Sequence, residues 1–146
     1  MDRLATILGS KGSEVHVIAP EDTVLDAVDK MCRAHVGALV VVEGQTLVGI
    51  FSERDLMTRV VLDQRDPATT HVAEVMTTSV VSVTQDTTAH EAMALMTSRR
   101  VRHLPITDDT RIAGVISIGD LVRSVLADGE RRVDELEGYV AGRYPG

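Results

Sequence analysis

The sequence is poor in aromatic residues and in cysteine. Phe, Trp and Tyr together make up 2% of its 146 residues, and Trp is absent, so aliphatic side chains must fill the core. The single cysteine, Cys32, excludes an internal disulfide. Its place within an apolar helical pattern predicts a buried, unreactive thiol, and a reducing compartment is consistent with this usage.

Positive charge is also scarce. Fifteen Lys and Arg residues stand against 22 Asp and Glu, which gives a formal charge of −7. Such a charge repels phosphate backbones and anionic lipid surfaces, so nucleic acid and membranes are poor partners. No stretch approaches the length of a transmembrane helix, and the first residues do not resemble a signal peptide. We therefore expect a cytoplasmic protein.

Catalytic and metal-binding motifs are missing as well. The five histidines show no paired ligand spacing, and one cysteine does not support a zinc site, so no metal is expected. The sequence contains no GxxxxGK[ST] loop, no GxSxG elbow, and no Cys/His or carboxylate pair at catalytic spacing. The sequence therefore predicts that the protein is not an enzyme.

What the chain does contain is an internal repeat. The segment 49–56, GIFSERDL, shares its pattern of Gly, two apolar residues, Ser, two variable residues, Asp and Leu with the segment 114–121, GVISIGDL, 65 positions later. The same offset pairs Thr23 with Thr88, Met31 with Met96 and Leu39 with Leu104 without a gap. The chain is therefore expected to hold two copies of one unit that share a core.

Each copy is predicted to read strand, helix, strand, strand, helix, which gives a mixed α/β fold. The first copy places these elements at 15–18, 23–34, 38–42, 47–51 and 52–63, with both central strands buried on two faces. The second copy places them at 80–83, 88–99, 103–107, 112–117 and 118–126. The organisation is then a lead-in helix within 1–14, repeats at 15–63 and 77–127, a linker at 64–76, and a helical tail at 128–146.

The motif Ser-x-x-Asp lies where the last strand of each copy meets the last helix. A helix start exposes unpaired N–H groups that can hold an anion, and an Asp carboxylate can accept two hydrogen bonds from vicinal hydroxyls. The same pattern is also a variant of the helix capping box, with Ser at the N-cap and Asp three residues later. Taken alone, the motif favours the capping role over a ligand site.

A cluster of cations precedes the second copy's central strands, at Arg99, Arg100, Arg102 and His103. At the equivalent positions the first copy has Gly37 and Ala38 in place of Arg102 and His103, so the fold of the unit does not require this charge. For Arg99 and Arg100 the favoured interpretation is a solvated helix end, whereas for Arg102 and His103 it is binding of an anionic ligand. For Arg54 the sequence leaves two roles open, phosphate binding and a surface ion pair.

Together these patterns resemble the CBS domain pair, also called a Bateman module. The resemblance rests on GALVVV at 37–42, SERDL at 52–56, RHLPI at 102–106 and ISIGDLV at 116–122, and it is strongest to small stand-alone bacterial CBS-pair proteins. It implies two repeats related by a pseudo-twofold axis, clefts between the repeats for AMP, ADP, ATP or NAD, and a homodimer.

The resemblance also implies roles for single residues. In the second repeat, Asp120 would bind the ribose hydroxyls, and Ser117 with the backbone of Ile118 and Gly119 would bind the phosphate. Arg102 and His103 would supply positive charge, and Val80, Leu104 and Pro105 would line the adenine. In the first repeat the equivalent residues would be Asp55, Ser52 and Arg54, with Val17, Gly37, Ala38 and Leu39 near a base.

Two functions compete on these grounds. The leading hypothesis is a regulatory module in which a bound adenine nucleotide, with AMP first, changes the conformation that an unidentified protein effector recognises. The alternative is a ligand-free structural or adaptor dimer.

Overall fold

The computed structural model describes residues 2–11 and 15–140, with side chains for 2–9 and 15–129. The helices are α1 Leu4–Lys11, α2 Val24–Ala34, α3 Glu53–Asp55 with a π-helical continuation Leu56–Val61, α4 Val72–Val75, α5 Ala89–Arg99 and α6 Ile118–Val140. The strands are β1 Val17–Ile18, β2 Ala38–Glu43, β3 Thr46–Ser52, β4 His103–Asp108 and β5 Arg111–Ser117. They form one sheet in the order β1-β2-β3-β5-β4, which confirms the mixed α/β class.

The chain forms two compact units. The helical unit holds α1, the stretch Gln85–Leu104, which includes α5, and the chain from Ile116 through α6. The sheet unit holds the chain from β1 to Thr84 and the stretch Pro105–Val115.

The sheet unit is built around aliphatic side chains and one phenylalanine. Its core joins one face of α2 to the central strands and to α4, and consists of Ile18, Val24, Ala27, Met31, Leu39, Val41, Phe51, Val60, Val72 and Val75. The hairpin between β2 and β3 turns through Gly44, whose φ of 63° lies in the left-handed region that favours glycine. Phe51 is fully buried, which explains how a chain so poor in aromatic residues can close this core.

The helical unit buries α1 and one face each of α5 and α6. Its buried apolar residues are Leu4, Ile7, Leu8, Ala89, Ala92, Met96, Leu104, Ile116 and Leu121. Each repeat's first long helix begins with a capping box, formed by Thr23 with Asp26 in α2 and by Thr88 with Glu91 in α5. Both helices end on a residue with φ of 56°, His35 and Arg100, again 65 positions apart.

The predicted strand at 80–83 is wrong, because the structure has only one bridge there, between Val83 and Ile106. In the first repeat the equivalent pairing is extended by a bond from Val40 N to the His16 carbonyl at 3.2 Å. The residue at the equivalent position of Val40 is Pro105, which has no N–H to donate. Pro105 therefore prevents the second repeat from forming the backbone hydrogen bond that Val40 N forms in the first repeat, and the strand pairing there stays at one bridge.

A second repeated feature was not predicted from the sequence. In the sheet unit, Val72 N donates to the Asp22 carbonyl at 2.8 Å and Ala73 N donates to the Pro20 carbonyl at 2.9 Å. In the helical unit, Leu4 N donates to the Thr87 carbonyl at 2.8 Å and Ala5 N to the Gln85 carbonyl at 3.0 Å. The segment around α4 therefore docks beside α2 as the segment around α1 docks beside α5.

Four further expectations need correction. The predicted regular helix at 52–63 widens to a π-helix after β3, with Leu62 N donating to the Met57 carbonyl five residues back, and Val61 is 62% exposed. Thr58 Oγ1 donates to the Arg54 carbonyl at 2.8 Å, a bond that competes with regular helix pairing. Strand β3 is not buried on two faces, since its buried positions alternate at Gly49 and Phe51.

Cys32 is exposed, because it follows Met31 around α2 and leaves the stripe that Val24, Ala27 and Met31 form. The predicted break near Gly129 is also wrong, because α6 runs unbroken from Ile118 to Val140. A glycine inside a helix costs only about 1 kcal/mol, which a long helix tolerates. In the predicted tail, Val133, Leu136 and Val140 recur at helical spacing in the sequence, and their side chains lie outside the described residues.

Candidate functional site

The second repeat's Ser-x-x-Asp motif forms a closed hydrogen-bond ring at the start of α6. Ser117 donates to Asp120 Oδ2 from its backbone N at 2.8 Å and from its hydroxyl at 2.9 Å. Asp120 N returns a bond to Ser117 Oγ at 3.1 Å. Asp120 is only 7% exposed. The capping role considered from the sequence is therefore present, and it fixes the carboxylate in place.

The second oxygen of the Asp120 carboxylate contacts an arginine that the sequence analysis missed. Arg123 Nη2 lies 2.6 Å from Asp120 Oδ1, and the Arg123 side chain is 73% exposed. Opposite charges three residues apart on a helix are neighbours, so this spacing was the available signal. Hence Ser117 hydrogen-bonds one oxygen of the Asp120 carboxylate, and the exposed Arg123 side chain contacts the other oxygen.

The beginning of β4 lies beside the beginning of α6. Ile118 N donates to the Arg102 carbonyl at 2.8 Å. The first repeat contains the same bond, from Glu53 N to the Gly37 carbonyl at 3.0 Å. This bond brings the cationic segment next to Ser117, but it also engages the Ile118 N–H that was expected to face a phosphate.

The first repeat's motif forms the same ring. Ser52 donates to Asp55 Oδ2 from its backbone N at 2.9 Å and from its hydroxyl at 3.1 Å. Asp55 is 4% exposed. Its other oxygen, Oδ1, accepts a hydrogen bond from the Thr77 hydroxyl at 2.9 Å, with Arg59 Nε at 3.8 Å. Asp55 therefore ties the helix start to the chain that leaves α4.

Further contacts hold that chain against β3. Thr77 and Ile50 exchange backbone hydrogen bonds of 2.9 and 3.0 Å. Arg59 Nη1 donates to the Met76 carbonyl at 2.9 Å. A Cβ added to Gly49 would lie 2.7 Å from Met76 Sδ and 3.0 Å from the Thr77 carbonyl oxygen, so this close approach requires glycine. We call Asp55, Arg59 and Thr77 the Asp55 clamp.

Comparison with known proteins gives the family. A model described as "CBS domain" matches residues 12–62 and 72–127. The chain belongs to the CBS domain family. This confirms both the resemblance and the tandem pair of repeats that was expected from the sequence.

Individual CBS proteins resemble this chain along most of its length. It is 40% identical over 129 residues to CBS domain-containing protein CBSX3, mitochondrial, of Arabidopsis thaliana, a match that covers 85% of this chain and 63% of CBSX3. A proposed signal-transduction protein with CBS domains from Burkholderia ambifaria has a solved structure with a TM-score of 0.83 and 42% identity, covering 87% of this chain and 96% of that one.

A third CBS neighbour was solved with ligands. The CBS domain pair of protein MJ0100, in complex with 5′-methylthioadenosine and S-adenosyl-L-methionine, has a TM-score of 0.76 and covers 85% of this chain and 99% of that one. Its identity to this chain is 18%, so the likeness concerns the fold alone.

The remaining predicted site residues divide between the two units. In the helical unit, Arg102 is exposed, His103 half-buried and Leu104 fully buried. The sheet unit contains both Pro105, which is buried, and Val80, which is half-buried.

The first CBS repeat's predicted residues lie within the sheet unit. Ala38 is 8% exposed and pairs with Ser52 across β2 and β3, while Gly37 is half-buried. Leu39 is buried and Val17 half-buried on the neighbouring strands. Arg54 is exposed on α3. The fold thus gathers Ser52, Asp55, Gly37 and Ala38 at one end of this sheet.

A groove of about 700 Å³ lies along α2 in the sheet unit, away from these residues. Its polar side chains are engaged locally: Asp22 accepts from Ala19 N, Asp26 from Thr23 N, and Arg33 pairs with Asp29. Across the described ranges, no three His, Cys, Asp or Glu side chains gather as metal ligands. Nor does any helix of the described chain have the length and apolar character to cross a membrane.

Proposed function

We propose that the protein is a regulatory module that binds an adenine nucleotide at the second repeat's Ser117–Asp120 motif and passes the resulting change to a protein partner. AMP is the first candidate, with ADP, ATP and NAD as others, and no catalytic step or metal is involved. The observation that carries the proposal is the buried Asp120 carboxylate, whose Oδ1 meets a largely exposed side chain.

That geometry suits a sugar diol. Oδ2 is held by two Ser117 donors, so the carboxylate is already oriented before a ligand arrives. Oδ1 contacts the Arg123 guanidinium, whose side chain is 73% exposed, so this oxygen can be approached from solvent. A ribose hydroxyl that donates to Oδ1 can therefore take the place of the guanidinium while Ser117 keeps the carboxylate oriented. The adenosine ligands of the MJ0100 pair support this ligand class, although its likeness to this chain is one of fold.

The same reasoning gives the first repeat a weaker claim to a ligand. Asp55 Oδ1 accepts from Thr77, which also exchanges backbone bonds with Ile50. A diol would have to displace an anchored residue, and Gly37 and Ala38 offer no positive charge for a phosphate. We therefore assign the primary site to the second repeat.

We propose in addition that two copies of the chain associate through the last helix of each repeat. The helix after β3 exposes Met57, Val61 and Leu62, at 58%, 62% and 74%. Helix α6 exposes Val122 and Leu126, at 42% and 58%, and positions 122 and 126 are the repeat equivalents of 57 and 61. Apolar side chains recurring at the same exposed positions favour a protein partner.

The test is a thermal-shift and calorimetric panel of AMP, ADP, ATP, NAD and S-adenosylmethionine at millimolar concentration. We expect AMP to raise the melting temperature, since a ligand at one hundred times its Kd stabilises the folded state by about 2.7 kcal/mol. Asp120→Ala should abolish the shift. Asp26→Ala, which removes the capping-box carboxylate of another helix, α2, should keep it.

A flat response across the panel with wild-type protein would refute nucleotide binding and favour the ligand-free adaptor dimer. Equal loss of the shift in both variants would show that capping, and not the diol contact, is what matters.

A further inference from the structure

Arg123 lies over the part of the second CBS repeat that the proposed function assigns to phosphate. Its Nη2 contacts Asp120 Oδ1 at 2.6 Å. A Cβ added to Gly119 would lie 3.5 Å from Arg123 Nη1 and 3.6 Å from Ser117 Oγ. The guanidinium therefore contacts the ribose-binding carboxylate and lies on the same side of Gly119 as the Ser117 hydroxyl.

The position of Arg123 allows it to change partners. Its side chain is 73% exposed, so it can reorient without disturbing packed neighbours. A guanidinium offers five donors in a planar fork that matches phosphate oxygens in bidentate fashion. A phosphate dianion also carries more charge than a carboxylate, so it competes effectively for the same arginine.

The first repeat has no arginine at the position of Arg123, although Arg59, one position later in the repeat pattern, lies 3.8 Å from Asp55 Oδ1. The equivalent position in the first repeat is Thr58, whose hydroxyl bonds the Arg54 carbonyl within its own helix. The second repeat thus has Arg102, His103 and Arg123 near the start of α6, where the first repeat has Gly37, Ala38 and Thr58.

We propose that Arg123 is a specificity-determining residue that pairs with Asp120 in the absence of ligand and moves to the nucleotide phosphate when the ribose takes its place on Asp120. This inference rests on the proposed function. In this exchange, the ion pair opens and each charge gains a ligand partner, so neither is left buried without one. Arg123 would then favour nucleoside phosphates over free nucleosides.

The experiment compares AMP with adenosine by isothermal titration calorimetry on wild type, Arg123→Gln and Arg123→Lys. Loss of a charged hydrogen bond to phosphate should raise the Kd for AMP about tenfold in Arg123→Gln. The Kd for adenosine should stay unchanged or fall, because the competitor for Asp120 is gone. Arg123→Lys should give an intermediate Kd for AMP, since it keeps the charge and loses the fork.

Arg33→Gln is the matched control, because Arg33 is another largely exposed arginine that pairs with an aspartate, Asp29, on a helix of the sheet unit. Its Kd values should equal those of wild type. An unchanged Kd for AMP in Arg123→Gln, or an equal loss for AMP and adenosine, would overturn the role of Arg123 while leaving the proposed function standing. Failure of wild type to bind either compound would overturn both.

Discussion

The Thr77 hydroxyl donates a 2.9 Å hydrogen bond to Asp55 Oδ1, which joins the chain leaving the linker to the helix start of the first CBS repeat. Ser52 already occupies the other oxygen of this buried carboxylate. The contact thus gives an aspartate expected to bind a ligand a structural role.

We predict that Thr77→Val lowers the free energy of unfolding by about 1–3 kcal/mol, because a 4%-exposed carboxylate loses a donor. Urea denaturation at neutral pH measures the change. Thr78→Val is the control, since Thr78 is exposed and its substitution should change stability little. Equal effects of the two variants would argue that the Asp55 clamp is unimportant.

Gly49→Ala should destabilise the fold by about 1–3 kcal/mol, since the new methyl group must push Met76 and the Thr77 carbonyl away from β3. Gly9→Ala is the matched control. A Cβ at Gly9 in α1 meets nothing within 4 Å, and alanine favours a helix, so this variant should be neutral or slightly stabilising. Thermal melts of both proteins provide the comparison, and a harmless Gly49→Ala would contradict the close approach.

Glu74 should contribute a pH-dependent stabilisation. The His71 backbone N–H, which donates to Glu74 Oε2 at 2.7 Å, lowers the pKa of the Glu74 carboxyl, with a further contribution from Arg65. Because the pKa is lower in the folded state, this stabilisation is present above the unfolded pKa and is lost as the pH falls through the folded one.

Glu74→Gln should therefore be less stable than wild type at neutral pH, and the difference should shrink in acid. Denaturation curves across that range measure it. Glu43→Gln, at the exposed end of β2, serves as the control. A difference that persists below the folded pKa of Glu74 would assign the effect to something other than its charge.

The exposed apolar positions make a prediction about assembly. Val61→Glu combined with Leu126→Glu should convert a dimer to a monomer in sedimentation velocity, because a charge at each repeat-equivalent position opposes burial. Leu25→Glu on α2 introduces the same charge at a 54%-exposed leucine outside these helices and should leave the dimer intact. A wild-type monomer at micromolar concentration would rule out the proposed dimer.

Much of the fold followed from local pattern. The helices predicted at 23–34 and 88–99 and the paired central strands of each repeat lie close to where periodicity and turn residues predict them, because these features depend on neighbours in sequence. The strand at 80–83 failed because its pairing depends on Pro105, a residue distant in sequence. Cys32 was predicted to be buried, but it follows the buried Met31 by one position, and one position around a helix is enough to move a side chain from the core to solvent.

In the candidate site too, features that depend on neighbouring residues were predictable and contacts between distant residues were not. The Ser-x-x-Asp motif could be identified from the sequence. The hydrogen bond from Thr77 to Asp55 could not be predicted, because the two residues are 22 positions apart. Arg123 lies three residues after Asp120, a spacing that places the two side chains on one face of a helix, so this contact was predictable from the sequence although it was not predicted. The ligand roles of Arg102, His103 and Arg54 stay predictions, as do the repeat boundaries.

The docking of the α1 and α4 segments has a practical corollary for dissecting the protein. Cutting the chain after residue 63, where the recurring pattern stops, would remove the bonds that Val72 and Ala73 donate to the chain just before α2. A first half that keeps these bonds and the Asp55 clamp would have to extend through Thr77. A second half expressed from residue 78 would lose the bonds that Leu4 and Ala5 donate to Thr87 and Gln85 unless residues 2–8 were supplied as a separate peptide, so the sequence period and the hydrogen-bonded unit cover different residues.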